Sequence, residues 1–195
     1  MKISLALSVI VLCLAACAVS KVDPLAIPLQ YKMSSDSGAQ VVPLMCSTVG
    51  PIVVEDKRTV QLLGIRYHES KPLKADVSLA NDPTPWVREG LASILAQHGV
   101  QSAAAPTLFI ELETLHTSEN IWHRSGYDAQ IVFEAALRSP DGKTCWHESI
   151  QAKSGNYGYS GSIENYQETL NGALDAAGVH LLGSSTFASA LCHCD

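Results

Sequence analysis

Tyr127–Arg138 is the segment that most limits what this chain can fold into. Ala129, Ile131, Phe133, Ala135 and Leu137 recur at every second position, with Asp128, Gln130, Glu134 and Arg138 between them. A period of two with one apolar side is the pattern of a strand that lays one face on a core and leaves the other wet. Pro140-Asp141-Gly142-Lys143 follows; Pro presets φ for a turn and Gly accepts a positive φ. Thr144–Lys153 then reads as the antiparallel return strand. Upstream, Thr107–Leu115 alternates too, with Leu108, Ile110 and Leu112 on one side and Phe109, Glu111 and Glu113 on the other. Such a sheet must be covered, and two stretches at helical spacing can cover it. Asp82-Pro83-Thr84-Pro85 opens the first, since Asp or Thr accepts from first-turn amides and Pro is tolerated there. Val87, Leu91, Ile94, Leu95 and His98 form its stripe, and Gly99 ends it. The second starts near Ser162 and carries Ile163, Tyr166, Leu170, Leu174, Ala177 and Leu181 on one face. Thr48–Glu55 reads as a first strand; Asp56-Lys57-Arg58-Thr59 breaks it, and Val60–Tyr67 returns as a second, shorter one. The expected fold is α+β, a two-layer sandwich of an antiparallel sheet with two helices packed on one face.

Composition narrows the function classes. The 195 residues give room for one domain, and 47% apolar against 16% charged residues permits a real core. The net charge of −6 lacks the basic surplus a nucleic-acid binder carries, so no nucleic-acid partner is expected.

The N-terminus reads as an address. Met1-Lys2 is a short basic start, and Ile3 to Ala16 follows without a charge. As a helix this run would be roughly 21 Å long, short of a bilayer core of roughly 30 Å, so it fits the apolar part of a secretory signal. It ends in Leu14-Ala15-Ala16-Cys17, which resembles the lipobox of bacterial lipoproteins. That resemblance implies that the Cys17 thiol takes a diacylglycerol, that the leader is cut before it, and that the new amine is acylated, with palmitate a typical chain. Two or more chains anchor stably where one does not. Ala18 stands where an Asp would resemble the inner-membrane retention signal of enteric bacteria, which implies the outer membrane, periplasmic side. The expected organisation is a signal peptide at 1–16, a lipidated N-terminus and tether at 17–47, and a single α+β domain at 48–195. Pro24, Pro28, Pro43 and Ser34-Ser35-Asp36-Ser37-Gly38 interrupt the tether. Its apolar pieces Pro24–Leu29 and Val41–Leu44 suggest parts that lie against the domain.

With its elements in this order, the chain resembles the YajG-type family of bacterial lipoproteins. The matching stretches are the lipobox at Cys17, Asp56-Lys57-Arg58-Thr59, Leu91-Ala92-Ser93-Ile94-Leu95 with His98-Gly99-Val100, Leu108–Leu115, the hairpin at Ser139–Lys143, and Ser154-Gly155-Asn156-Tyr157-Gly158-Tyr159. They cover most of residues 48–185. The resemblance implies an envelope lipoprotein without an assigned activity and transfers no catalytic residue.

Four cysteines outside that pattern remain after Cys13 and Cys17: Cys46, Cys145, Cys192 and Cys194. An exported compartment permits disulfides, and four cysteines allow three pairings. Cys192 and Cys194 are too close for an easy mutual bridge; one of them bonded to Cys46 or Cys145 would pin the tail to the sheet. The rival is a zinc or copper site at Cys192, His193 and Cys194, with His147 or Cys145 as a further ligand. No P-loop, G-x-S-x-G, H-E-x-x-H or paired CxxC is present. His68-Glu69-Ser70 cannot assemble a triad, because neighbours in extended chain point to opposite faces. His116, Trp122, His123 and Tyr127 lie in or beside an inter-strand loop and read as a wet aromatic patch or as partly buried loop. Tyr157 and Tyr159 read as glycan or peptide contacts on a glycine-rich loop, or as a strand edge packed on the last helix. The expected function is a non-enzymatic, lipid-anchored envelope module without a cofactor. It would bind an envelope protein or peptidoglycan through the wet sheet face and the loops at 116–127 and 155–161. The alternative is a metal-binding or redox-linked periplasmic protein using the C-terminal Cys-His-Cys.

Overall fold

The computed structural model of the chain describes residues 22–33, 46, 48–104, 106–122 and 124–194. Its strands are β1 (Leu25–Ile27), β2 (Thr48–Val49), β3 (Ile52–Asp56), β4 (Gly64–His68), β5 (Lys71–Leu79), β6 (Gln101–Ser102), β7 (Thr107–Asn120), β8 (Ser125–Arg138) and β9 (Thr144–Gly158). Its helices are α1 (Pro83–Gln97), α2 (Ile163–Gly183) and α3 (Ser185–Leu191). The main sheet has seven strands in the order β1-β5-β4-β7-β8-β9, with β3 also on β7, while β2 and β6 pair separately.

The long strands follow the sequence pattern. β7, β8 and β9 form an antiparallel meander, and Gly142 takes the positive φ of 83° that the turn requires. Ile131, Phe133, Ala135 and Leu137 are fully buried, as are Leu108, Ile110 and Leu112 opposite them. The helix starts are also as read: Asp82 accepts from the Thr84 amide, and Ser162 from the Asn165 amide. α2 packs on β8 and β9, and α1 on β3 and α2. Tyr166, Leu170, Leu174, Ala177 and Leu181 are fully buried on α2, while Ile163 at its start is exposed.

The sheet is mixed, not antiparallel, and a third helix is present. β3 and β4 both run parallel to β7 and share one of its edges, β3 along Leu108–Leu112 and β4 along Thr117–Asn120. Asp56-Lys57-Arg58-Thr59 therefore interrupts a strand without reversing it. The Asp56 carboxylate accepts from Arg58 Nε at 2.8 Å and Nη2 at 2.7 Å. The Lys57 amide still donates to Leu112 O, and Thr117 resumes the ladder on Leu63 O. The chain steps off the edge of β7 and returns to it in the same direction. β5 is a strand that the sequence pattern does not mark; it pairs antiparallel with β4 and parallel with β1. Its Pro72 lies outside the stretch covered by β1, Val77–Leu79, where a missing amide costs nothing. Pro24–Leu29 does lie against the domain, since it contains β1 with Ile27 fully buried. Val41–Leu44 and the leader lie outside the described residues.

Two disulfides close the C-terminus. Cys46 bonds Cys192 across 146 residues, and Cys145 bonds Cys194 across 49. The tail is pinned by two bridges rather than the one expected, and α3 lies under them. Phe187 meets Trp146 edge-on at 5.0 Å, and Trp146 Nε1 donates to Thr186 Oγ1. Non-reduced peptide mapping should return these two pairs. Replacing Cys145 and Cys194 together by Ser should lower the unfolding free energy by about 2–5 kcal/mol. A loss under about 0.5 kcal/mol, the size of an ordinary surface change, would show that the bridge does not hold the tail.

Candidate functional site

The features that distinguish this fold lie at one end of the sheet, where β4, β7 and β9 end and β8 begins. An irregularity in β7 builds it. The register shifts between Leu112 and Thr114, leaving Glu113 as an extra, exposed residue. Such a bulge changes which residues face inward. Leu108, Ile110 and Leu112 are buried before it, and Leu115, Thr117 and Glu119 after it. Glu119 is thereby carried into the core with no exposure at all.

A buried carboxylate is costly unless its oxygens are satisfied. Glu119 Oε2 accepts from Arg66 Nε at 2.6 Å and from the Tyr166 hydroxyl at 2.9 Å. Its Oε1 accepts from the Gly161 amide at 2.8 Å and from Ser160 Oγ at 2.9 Å. Burial pushes its pKa up, but the Arg66, Gly161 and Ser160 hydrogen bonds and the Arg66 charge outweigh it and hold the carboxyl below its ordinary range. The Tyr127 hydroxyl donates to the Tyr159 carbonyl and accepts from the Ser162 amide at 3.3 Å. Burial first, then the Glu119 charge, raises the pKa of both Tyr127 and Tyr166. Gly161 sits at a φ of 73°, and a Cβ there would stand 2.8 Å from Arg66 Nη2. One carboxylate thus ties β4, β7 and α2 to the loop before α2.

The same arginine receives the entering chain. Arg66 Nη1 donates to the Asp23 carbonyl at 2.9 Å. From there the chain passes through β1 at the sheet edge, and residues 28–31 continue along α2, held by Asn81 on both backbone groups of Leu29, by Gln167 on the Pro28 carbonyl and by Asn171 on the Gln30 carbonyl. The Tyr31 hydroxyl donates to Asp175 Oδ1 at 2.7 Å; burial first, then that carboxylate, raises the phenol's pKa.

The outer surface of this end is aromatic. Trp122 is 52% exposed, Tyr157 68% and Tyr159 87%. Asn120, Gly126 and Tyr157 are level in the β7-β8-β9 ladder, so Trp122 at the hairpin tip and the two tyrosines share the rim. Trp122 lies 5.4 Å from the His68 ring at the end of β4. The glycine-rich segment is strand as far as Gly158, and the 116–127 loop shrinks to residues 121–124. Tyr127 is not a surface contact. It is 1% exposed, in phase with inward-facing Ala129 and Ile131, and its ring meets Tyr166 edge-on at 4.9 Å. His123 and Cys17 lie outside the described residues. Glu119, Arg66 and Tyr166 do not read as a group in the sequence; the signal of the bulge that assembles them is Leu115, which falls out of phase with Leu108, Ile110 and Leu112.

The C-terminal cluster is not assembled as a metal site. Cys192 and Cys194 are in separate disulfides, Cys145 is bonded to Cys194, and His193 Nδ1 sits 2.8 Å from the Ser189 carbonyl. His147 pairs with Glu134 at 2.9 Å. Among the described residues, no three His, Cys, Asp or Glu side chains are placed to hold a metal ion. A groove of about 680 Å³ runs between β9 and α2 past Asn156, Glu168 and Gly172.

Because Glu119 titrates lower when folded than unfolded, its contribution is complete above the ordinary value of 4.5 and is lost as pH falls below it. Denaturant melts should show stability dropping below that pH, and Glu119→Gln should flatten the drop. At neutral pH the same substitution strands Arg66 and should cost about 3 kcal/mol; an unchanged acid slope would contradict the assignment.

The sequence matches no protein-family model and no curated protein. Among solved structures, protein XCC0632 from Xanthomonas campestris, of the family DUF330, is similar with a TM-score of 0.51 at 11% identity, over 85% of this chain and 96% of that one. A putative lipoprotein from Caulobacter crescentus CB15 gives 0.41 at 16% identity, over 55% and 81%. A minor lipoprotein from Acinetobacter baumannii gives 0.42 at 11%, over 74% and 93%. The first similarity is one of fold.

Proposed function

We propose that this chain is a lipid-anchored lipoprotein of the bacterial envelope, held on the periplasmic side of the outer membrane, and that it works as a non-enzymatic binding or structural module. The observation that carries the reading is the pairing of Cys46, Cys145, Cys192 and Cys194 into two long-range disulfides, which an oxidising compartment sustains. The Leu14-Ala15-Ala16-Cys17 ending supports the anchor, Ala18 the outer membrane, and the YajG-type resemblance of the chain agrees with both. The domain supports binding rather than chemistry. Its fully buried carboxylate is spent on its own fold, and the titratable groups of the sheet face stand in solvated rows. Glu55, Glu111 and Glu134 are cross-strand neighbours there, partnered by Lys57 at 2.7 Å from Glu55 and by His147. That polar face is the surface for an envelope protein or peptidoglycan. Among the described residues no helix is long and apolar enough to cross a membrane, so the anchor carries the attachment.

Intact-mass spectrometry of the chain expressed with its leader and extracted from membranes tests this. The expected mass lacks residues 1–16, carries acyl chains on Cys17 and shows two disulfides. Cys17→Ser should retain the leader and carry no lipid. A wild-type chain that keeps Met1–Ala16 and has free thiols would overturn the proposal.

A further inference from the structure

The aromatic rim and the point where the chain enters the domain lie at the same end of the sheet. β1 runs parallel to β5, so the residues before Leu25 head toward the end where β5 begins. Leu25 is level with Val77, Gly64 and Thr117, and the Asp23 carbonyl is bound by Arg66, level with Glu119. Arg66 Nη2 is 3.4 Å from Ser160 Oγ, next to Tyr159. One residue beyond Asp23 is Val22, and five positions separate it from Cys17. Five residues reach at most about 18 Å when fully extended. A lipid on Cys17 therefore keeps the chain's entry point at this end within about 18 Å of the bilayer surface.

What this end presents suits that position. Among the described residues, Trp122, Tyr157 and Tyr159 are the large aromatics left exposed, and Ile163, 37% exposed, starts α2 directly after the loop that holds Tyr159. Tryptophan and tyrosine favour the membrane–water interface, where an apolar ring and a polar edge are both satisfied. We propose that the Trp122–Tyr157–Tyr159 rim is a membrane-docking surface that seats on the headgroup region of the bilayer carrying the anchor. It turns the sheet and helices outward, with the Arg66–Glu119 pair fixing the angle at which the chain leaves the membrane. This rests on the lipidation of Cys17 proposed above.

The chain has three tryptophans. Trp86 is 2% exposed and bound to Asn171, and Trp146 is 8% exposed against Phe187. Emission that responds to lipid thus reports Trp122. The natively processed protein, its acylation checked by mass, is reconstituted into phosphatidylethanolamine/phosphatidylglycerol vesicles with and without brominated acyl chains. Docking predicts a blue-shifted Trp122 component that brominated lipid quenches and acrylamide reaches poorly. Trp122→Phe should remove the quenched component, and Tyr157→Ser with Tyr159→Ser should weaken quenching while Trp122 remains. Acylated protein whose emission brominated lipid leaves unchanged overturns the docking alone. Shielding from acrylamide without quenching by bromine also overturns it and places a second copy of the chain on the rim. A chain with no lipid on Cys17 overturns both this inference and the proposed function.

Discussion

The arrangement turns on how a single buried charge is satisfied. Glu119 has no exposure, and such a group is tolerated only when its oxygens and its counter-charge are fully engaged. Meeting that demand fixes four separate pieces of chain. Arg66 comes from β4, Tyr166 from the first turns of α2, and Ser160 and Gly161 from the loop before α2. Through Nη1 Arg66 also fixes Asp23. The loop and α2 are contiguous, but they, β4, β7 and Asp23 are far apart in sequence, so the carboxylate does what a local turn cannot. A hydrocarbon side chain at position 119 could fill the same space but would leave the Arg66 charge without its carboxylate and the Gly161 amide, the Ser160 hydroxyl and the Tyr166 phenol without this acceptor.

The far end of the domain is held by different means. There the disulfides at Cys145 and Cys46 hold the tail after α3, and Trp146 packs on Phe187. Covalent ties at one end and a buried ion pair at the other leave the middle of the sheet to ordinary burial, with Phe133, Ile131 and Leu112 of the strands and Leu170 and Leu174 of α2 in one core. The two ends differ accordingly in what disturbs them: reductant acts on one, acid on the other.

Much of this was legible from local pattern. α1 shows itself between Asp82 and Gly99 because caps and stripe lie within one short window. The β8–β9 hairpin shows itself because turn and alternation are contiguous. Trp122, Tyr157 and Tyr159 are found as exposed aromatics, and the tail is found to be pinned by cysteine. What stayed hidden is non-local. Parallel pairing of β3 and β4 with β7 depends on partners more than 50 residues away, and Asp56-Lys57-Arg58 looks like a reversal unless Lys57 is seen bonded to Leu112. Pro72 hides β5. The bulge at Glu113 changes the phase of β7 without altering composition, so Glu119 reads as a wet residue past a strand end. Tyr127 is the exception: its phase with Ala129 and Ile131 places it inside, although it stands at the edge of an inter-strand loop.

Glu119 holds the loop before α2 shut at the end where the chain enters. Site-resolved hydrogen exchange of the Gly161 amide, which donates to Glu119 Oε1, tests this most directly. The account predicts exchange as slow as that of the β7–β8 ladder amides around Glu119, and a marked loss of that protection in Glu119→Gln. Exchange of Gly161 at the rate of an open loop in the wild-type chain would contradict it.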